Sequence, residues 1–439
     1  MMNRFAPMNT IAFLGMVFFL MVACSDDNSE PNDFPNDDVQ NIELPPSDAA
    51  TPIISGNMIV IRGNGFTESS EIWFQTSSIR SSGVKADIIS YSDESISFIA
   101  PQMSGDCDVI LKQDDKTQSL GTIYLENRDL ESLEEHIYVI GYSNTSSEEG
   151  NLTPSLYSYA NQSGNFQLKN ELPQGEIVKF ALPENNGSGN VYYFNIQRQS
   201  NTKKVNLCGY NILTQQEAII CTDWLNKFSS ASNGMAIGMI ENTLCGLEAS
   251  IDKGFEIISF GNDGKTTLLK KAFPYAEING KRVVQFYCED DNLLFSYDLE
   301  KRCVLVTGKI RFEDDKETFD CLLSLNMKTG DVKLLRDEQD TYYYEVLVTR
   351  QGIVLLEIAK DTDKTIIKTI NPETLETISV LDEVNESMTF SIYGEKSNSI
   401  YWDVSGSGYH VSEYNFDSKQ ISVSDSSLPH IETLFTIRY

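Results

Sequence analysis

The chain has 439 residues, and 64 Asp and Glu stand against 34 Lys and Arg, for a formal net charge of −30. That surplus repels nucleic acid and anionic lipid, and it disfavours a strongly anionic polysaccharide unless a local basic patch overrides it. The length asks for two or three domains of ordinary size. Eight cysteines without a C-x-x-C pair, and only three histidines (His136, His410, His430) out of ligand spacing, predict no metal site and no cofactor.

Residues 1–23 read as a targeting segment. Arg4 is the one charge before Cys24, and residues 11–22 form an apolar run, shorter than the ~20 residues of a membrane span but suited to a signal-peptide core. The run ends in Met21-Val22-Ala23-Cys24, which resembles the bacterial lipobox. The resemblance implies cleavage before Cys24 and lipidation of its thiol. Ser25-Asp26-Asp27, directly behind it, resembles the acidic export tag of Bacteroidota surface lipoproteins. Together they imply an outer-membrane protein exposed at the cell surface, touching the membrane through its lipid anchor alone. Each buried CH₂ contributes about 0.8 kcal/mol, so several acyl chains on one cysteine hold stably. Residues 24–50 contain eight acids, no base and Pro31, Pro35, Pro45 and Pro46, the composition of an extended spacer that buries no apolar surface.

From Thr51 the pattern turns to short alternating strands with turn residues between them, the signature of a small β-sandwich over residues 51–127. Gly63-Asn64-Gly65-Phe66 follows one strand, Ser92-Asp93-Glu94-Ser95-Ile96-Ser97-Phe98 leads into another, and Ser104-Gly105 opens the last hairpin. These three cues resemble the IPT/TIG family, which implies an immunoglobulin-like fold serving as a spacer or binding module. The glycines permit a tight turn, and Phe66 is expected to plug the end of the sandwich.

Residues 128–439 repeat one phrase: an apolar strand, an Asn-led turn, and a second strand. Taking Tyr159, Tyr210, Phe260, Leu325, Ile370 and Tyr414 as equivalent gives spacings of 51, 50, 65, 45 and 44 residues. Four strands per unit of about 50 residues is β-propeller arithmetic, and six units fit the span. The 65-residue interval, with an insertion near residues 288–302, also admits five or seven. Residues 433–439 form a strand with no partner after it, and residues 136–140 begin a unit that lacks its first strand, so the last strand is expected to complete the first unit. The seven cysteines after Cys24 form no regular framework. Cys208 and Cys221 flank a hairpin, where they either pair across it or serve as small buried apolar residues.

No G-x-S-x-G elbow, HExxH motif or phosphate-binding glycine loop is present, so no catalytic residue is assigned. For binding, exposed aromatics matter, because a sugar's C–H face packs on an indole or phenol while its hydroxyls seek polar partners. Trp73 alternates with Ile72 and Phe74 and faces outward if those two are core. Trp224, beside Asp223, follows the outer strand of the second unit, where loops reach a propeller face. Trp402 lies in a strand beside Asp403, and Tyr342 and Tyr343 stand at a strand start. For each, a packed blade or sandwich residue is the plainer reading. The layout resembles surface glycan-binding proteins beside outer-membrane importers in polysaccharide-utilisation systems, which implies a non-catalytic protein whose partners are a polysaccharide or oligosaccharide and an importer complex. Two alternatives stay open: a propeller that docks another envelope protein, and a glycosidase with a carboxylate pair across the central channel.

Overall fold

The computed structural model describes residues 39–76, 83–129, 131–142, 153–160, 163–172, 175–199, 202–222, 232–250, 254–260, 267–273, 281–287, 294–336, 341–362, 364–388, 390–405 and 408–439. Every regular element among them is a β-strand. Cys24, Ser25, Asp26 and Asp27 lie outside the described residues, as do Asp223 and Trp224.

Two sheets come first. One orders the strands Gln40–Glu43, Met58–Asn64, Ser95–Ile99 and Asp87–Ser92; the other orders Ile53–Ile54, Lys116–Glu126, Gly105–Gln113, Glu71–Gln75 and Val84–Lys85. Their strands alternate, and the inward sets (Ile59, Ile61, Ile96 and Phe98 against Ile72, Phe74, Val109 and Leu111) share one core. Gly65 takes φ 103°, which turns the chain so that Phe66 enters this core at 3% exposure.

The sandwich begins earlier than composition suggests. Val39 is 3% exposed, Ile42 and Leu44 pack on the same core, and Gln118 clamps the Val39 backbone at both N and O. Averaging acids and prolines over residues 24–50 hides the apolar spacing of Val39, Ile42 and Leu44, so the last dozen residues assigned to the spacer belong to the fold.

Between Glu135 and Arg438 the described strands make six further sheets, each with a path of four antiparallel strands. The first combines His430–Arg438, Glu135–Tyr142, Pro154–Ala160 and Asn165–Glu171. The second runs Glu176–Pro183, Asn190–Gln199, Thr202–Asn211 and Gln216–Cys221; the third Ser232–Ile240, Thr243–Ser250, Gly254–Phe260 and Thr267–Phe273. In the fourth the first strand is split: Val283–Tyr287 and Phe295–Asp298 both pair with Cys303–Phe312, followed by Phe319–Asn326 and Val332–Arg336. This split absorbs the 65-residue interval. The fifth holds Thr341–Thr349, Gly352–Ala359, Thr365–Ile370 and Thr377–Val384; the sixth Ile392–Gly394, Ser399–Ser405, Tyr409–Asn415 and Gln420–Val423.

First strands lie side by side. Ser232–Ile240 neighbours Phe295–Asp298, which neighbours Thr341–Thr349, then Ile392–Gly394, then His430–Arg438, which meets Glu176–Pro183. The arrangement is propeller-like, and the last strand closes it by pairing with Glu135–Tyr142 from Glu135↔Arg438 to Tyr142↔His430. Cys208 and Cys221 sit on adjacent strands but face Ile219 and Leu207, and both are buried free thiols.

The repeated asparagine has a structural task. All six equivalent positions fall on the third strand of a sheet. In the described turns the following Asn bends the chain: Asn326 Oδ1 accepts from the N–H groups of Lys328 and Thr329, Asn371 Oδ1 from Glu373 and Thr374, and Asn415 Oδ1 from Asp417 and Ser418. Four residues after each Asn the backbone is left-handed, at Gln215, Gly330, Leu375 and Lys419.

Two measurements check this account. Phe435 stacks on Tyr138 at 5.6 Å, so Phe435→Ala is expected to lower the urea-unfolding stability by about 3–5 kcal/mol; a loss under about 1 would deny the closing strand its role. Lys419→Gly relieves a left-handed lysine and is expected to stabilise by about 0.5–1 kcal/mol in the same assay, whereas Asn415→Ala destabilises by about 1–2.

Candidate functional site

Because the first strands run alongside one another, their turns into second strands gather at one end. The sandwich sits on part of that end. Asn57 Oδ1 accepts from Asn186 Nδ2 at 3.1 Å and Asn242 Nδ2 at 3.3 Å, and Met58 N donates to Glu241 O at 3.3 Å. Arg302 reaches across to the Asp87 carboxylate and the Ile88 carbonyl. These contacts engage the turns of the second, third and fourth sheets.

The turns of the fifth and sixth sheets and the end of the closing strand instead border a cavity of about 340 Å³. Val348, Thr349 and Arg350 enter it from the fifth sheet, Tyr393 and Glu395 from the sixth, and Thr436 and Arg438 from the closing strand; Glu135 and Asn185 complete the wall.

Most polar groups of the wall are committed to one another. Tyr393 OH donates to Asn398 Oδ1 at 2.9 Å and accepts from Arg350 N at 3.2 Å, while Gln351 Nε2 donates to the same Asn398 oxygen at 3.0 Å. Burial raises the Tyr393 phenol above its ordinary pKa, so it stays a neutral donor. Thr436 Oγ1 donates to Tyr393 O, and Thr349 Oγ1 donates to Gly352 O. Glu135 accepts from Lys396 N, Ser397 N and Ser397 Oγ at 3.0–3.2 Å, which caps the Glu395–Asn398 turn. A Cβ at Gly394 would come 2.9 Å from that carboxylate, so glycine is needed there. Glu395 pairs with Arg438 at 2.7 Å, and Asn185 Oδ1 accepts from Arg438 N at 3.3 Å.

The described candidates chosen from sequence, Trp73, Trp402, Tyr342 and Tyr343, lie elsewhere. Trp402 is fully buried among Val354, Leu356 and Ile367 of the neighbouring sheet, so its indole offers no face to a ligand. It belongs to a second strand, which neighbouring sheets cover on both faces, and the alternation rule fails there. Trp73 does face away from Ile72 and Phe74, but Lys112 Nζ sits 3.7 Å from its ring centroid and Nε1 donates to Glu71. Tyr343 is 8% exposed with its hydroxyl on Arg336 O. Tyr342 packs edge-on against Tyr344, and all three tyrosines border a pocket of about 40 Å³. The structure brings Tyr342 and Tyr343 together but joins neither to Trp73 or Trp402.

Arg350, Tyr393, Glu395 and Arg438 escaped sequence reasoning because nothing in their local pattern marks them. Aligning the first-to-second turns of successive units would have gathered them.

One buried acid stands on the same first strand. Glu345 accepts from Ser391 N at 2.6 Å, and burial pushes its carboxyl up to about 8 from the usual 4.5. Folded protein therefore holds a proton that the unfolded chain releases between about pH 4.5 and 8, and this contribution to stability is lost as pH rises through that window. Glu345→Gln keeps the acceptor and removes the titration. Its urea midpoint is expected to match the parent near pH 4.5 and exceed it at pH 8. Glu241, pushed up to about 7, leaves a smaller slope in both proteins.

No protein-family model matches this chain, and no curated protein matches it in sequence. Similar solved structures include a DUF4784 family protein from Bacteroides caccae (11% identity, TM-score 0.37, 91% of this chain and 99% of that one). TolB from Acinetobacter baumannii is 10% identical with a TM-score of 0.44, over 76% and 80% of the two chains. A putative 6-phosphogluconolactonase from Bacteroides fragilis is 8% identical with a TM-score of 0.43, over 71% and 99%. No activity passes from them to this chain.

Proposed function

We propose that this protein is a lipid-anchored, surface-exposed outer-membrane protein that binds glycan without cleaving it and serves an importer of a polysaccharide-utilisation system. In this reading an IPT/TIG immunoglobulin-like domain is the stalk and a six-bladed β-propeller presents the ligand site. The lipobox-like Met21-Val22-Ala23-Cys24, the Gly63-Asn64-Gly65-Phe66 turn and the six closed sheets support it.

The observation that carries the binding reading is the cavity at the ends of the first strands. Its volume falls at the lower end of the ~300–1,000 Å³ of small-molecule sites. Its two carboxylates are engaged, Glu135 in capping a turn and Glu395 in pairing with Arg438, which favours binding over cleavage. Docking of an envelope protein is the second reading, favoured by Ile378, Val380, Ile421 and Val423, which stand 40–68% exposed on the outer strands of the fifth and sixth sheets.

Affinity electrophoresis of the full-length protein in detergent, against plant, host and microbial polysaccharides, tests the proposal. At least one polymer is expected to retard it, and Val348→Trp, which fills the cavity from an exposed position, should abolish the retardation. Retardation that survives Val348→Trp would move the site away from the cavity. No retardation by any polymer would contradict glycan binding.

A further inference from the structure

Resting on the glycan-binding reading, we propose that the cavity is selective for a uronic acid residue, whose carboxylate is taken by Arg350. The inference starts from what the wall has left to offer. The hydroxyls of Tyr393, Thr349 and Thr436 all donate within the protein, both oxygens of Glu135 accept, and Glu395 Oε2 pairs with Arg438. Two N–H donors stand out from that scaffolding. Arg350 sits on a two-residue turn, exposed, with its backbone N–H fixed by Tyr393 OH. No carboxylate lies within ion-pair distance of its guanidinium among the described residues. Asn185 uses its oxygen on Arg438 N, while its Nδ2 has no partner among the described residues.

Uncommitted N–H donors favour a ligand with acceptors, and a cationic donor favours a charged one. Guanidinium and carboxylate match as a bidentate pair, which an uncharged hydroxyl cannot reproduce. Val348, 40% exposed, supplies the apolar surface that a sugar's C–H face needs.

The net charge of −30 does not forbid this anion. Screening confines electrostatics to about 8 Å at physiological ionic strength, so the charges at the cavity govern the encounter. There Arg438 is balanced by Glu395, and the guanidinium of Arg350, unpaired among the described residues, offsets the charge of Glu135, which caps a turn, so the wall is formally neutral and does not repel an anion. The size of the cavity suits one terminal or side-branch residue, which spares a polyanionic chain from lying along an acidic surface.

Titration calorimetry of the full-length protein in detergent tests the proposal, using oligogalacturonate, oligomannuronate, oligoguluronate and glucuronate-capped oligosaccharides, each beside its carboxyl-reduced twin. At least one acid form should bind about 10- to 100-fold more tightly than its reduced twin, with the advantage shrinking as salt rises. Arg350→Gln should erase that advantage and keep the parental unfolding curve. Arg350→Lys should restore part of it. Equal affinity for acid and reduced forms, or an acid preference that survives Arg350→Gln, overturns the inference but leaves glycan binding standing. Absence of binding by every oligosaccharide, neutral or acidic, overturns both.

Discussion

The pairing of His430–Arg438 with Glu135–Tyr142 joins the end of the chain to a strand some three hundred residues earlier, and the candidate site depends on it. This strand fills the inner place of the first sheet and packs Phe435 and Ile437 into a cluster shared with the second sheet. Tyr138 OH and Tyr439 OH meet at 2.6 Å, and Glu134 and Tyr439 exchange backbone hydrogen bonds, which pins the last residue. The same pairing carries Thr436 and Arg438 to the cavity wall and lets Arg438 O accept from Gly187 N. No short stretch of chain contains the cavity: residues near 135, 185, 350, 394 and 437 meet only once the ring is closed. Opening it would dissolve the site together with the core.

The sandwich adds a second constraint. By taking Asn186, Glu241, Asn242 and Arg302 as its seat, it engages the turns of three sheets at this end, and the cavity opens where the turns of the others stand free. Asn185 and Asn186 are adjacent residues with separate duties, one on the cavity wall and one on the seat, and Asn185 N also donates to Asn242 Oδ1 at 2.9 Å. The seat and the wall are therefore built from one turn. Within the wall, internal hydrogen bonds engage the hydroxyls and Glu135 while the Arg350 guanidinium has no ion pair among the described residues, so the chemistry of the cavity depends on what its own scaffolding has used.

Much of the fold was legible because it is written in local, repeated chemistry. Asn211, Asn326 and Asn415 each end a third strand and Asn371 directly follows one, and a side-chain oxygen two or three residues ahead of free N–H groups is a signal that sequence shows directly. Alternation identified the sandwich core, with Ile72 and Phe74 inside and Trp73 on the other face. It offers no guide at Trp402, where the strand Ser399–Ser405 opens with four consecutive buried residues because neighbouring sheets cover it on both sides. Composition failed for Val39, whose apolar neighbours were diluted by acids and prolines upstream. The cavity was illegible for another reason. Arg350 and Glu395 occupy ordinary turn positions, and only closure makes them neighbours.

The most direct measurement of the central claim is a crystal structure of the full-length protein with a bound oligosaccharide, identified beforehand by binding. The account predicts a sugar residue at the ends of the first strands, over Val348, with polar contacts from Arg350 and Asn185. A sugar bound at the opposite ends of those strands, beside the tyrosines at 342–344, or on the sandwich face that bears Trp73, would contradict it.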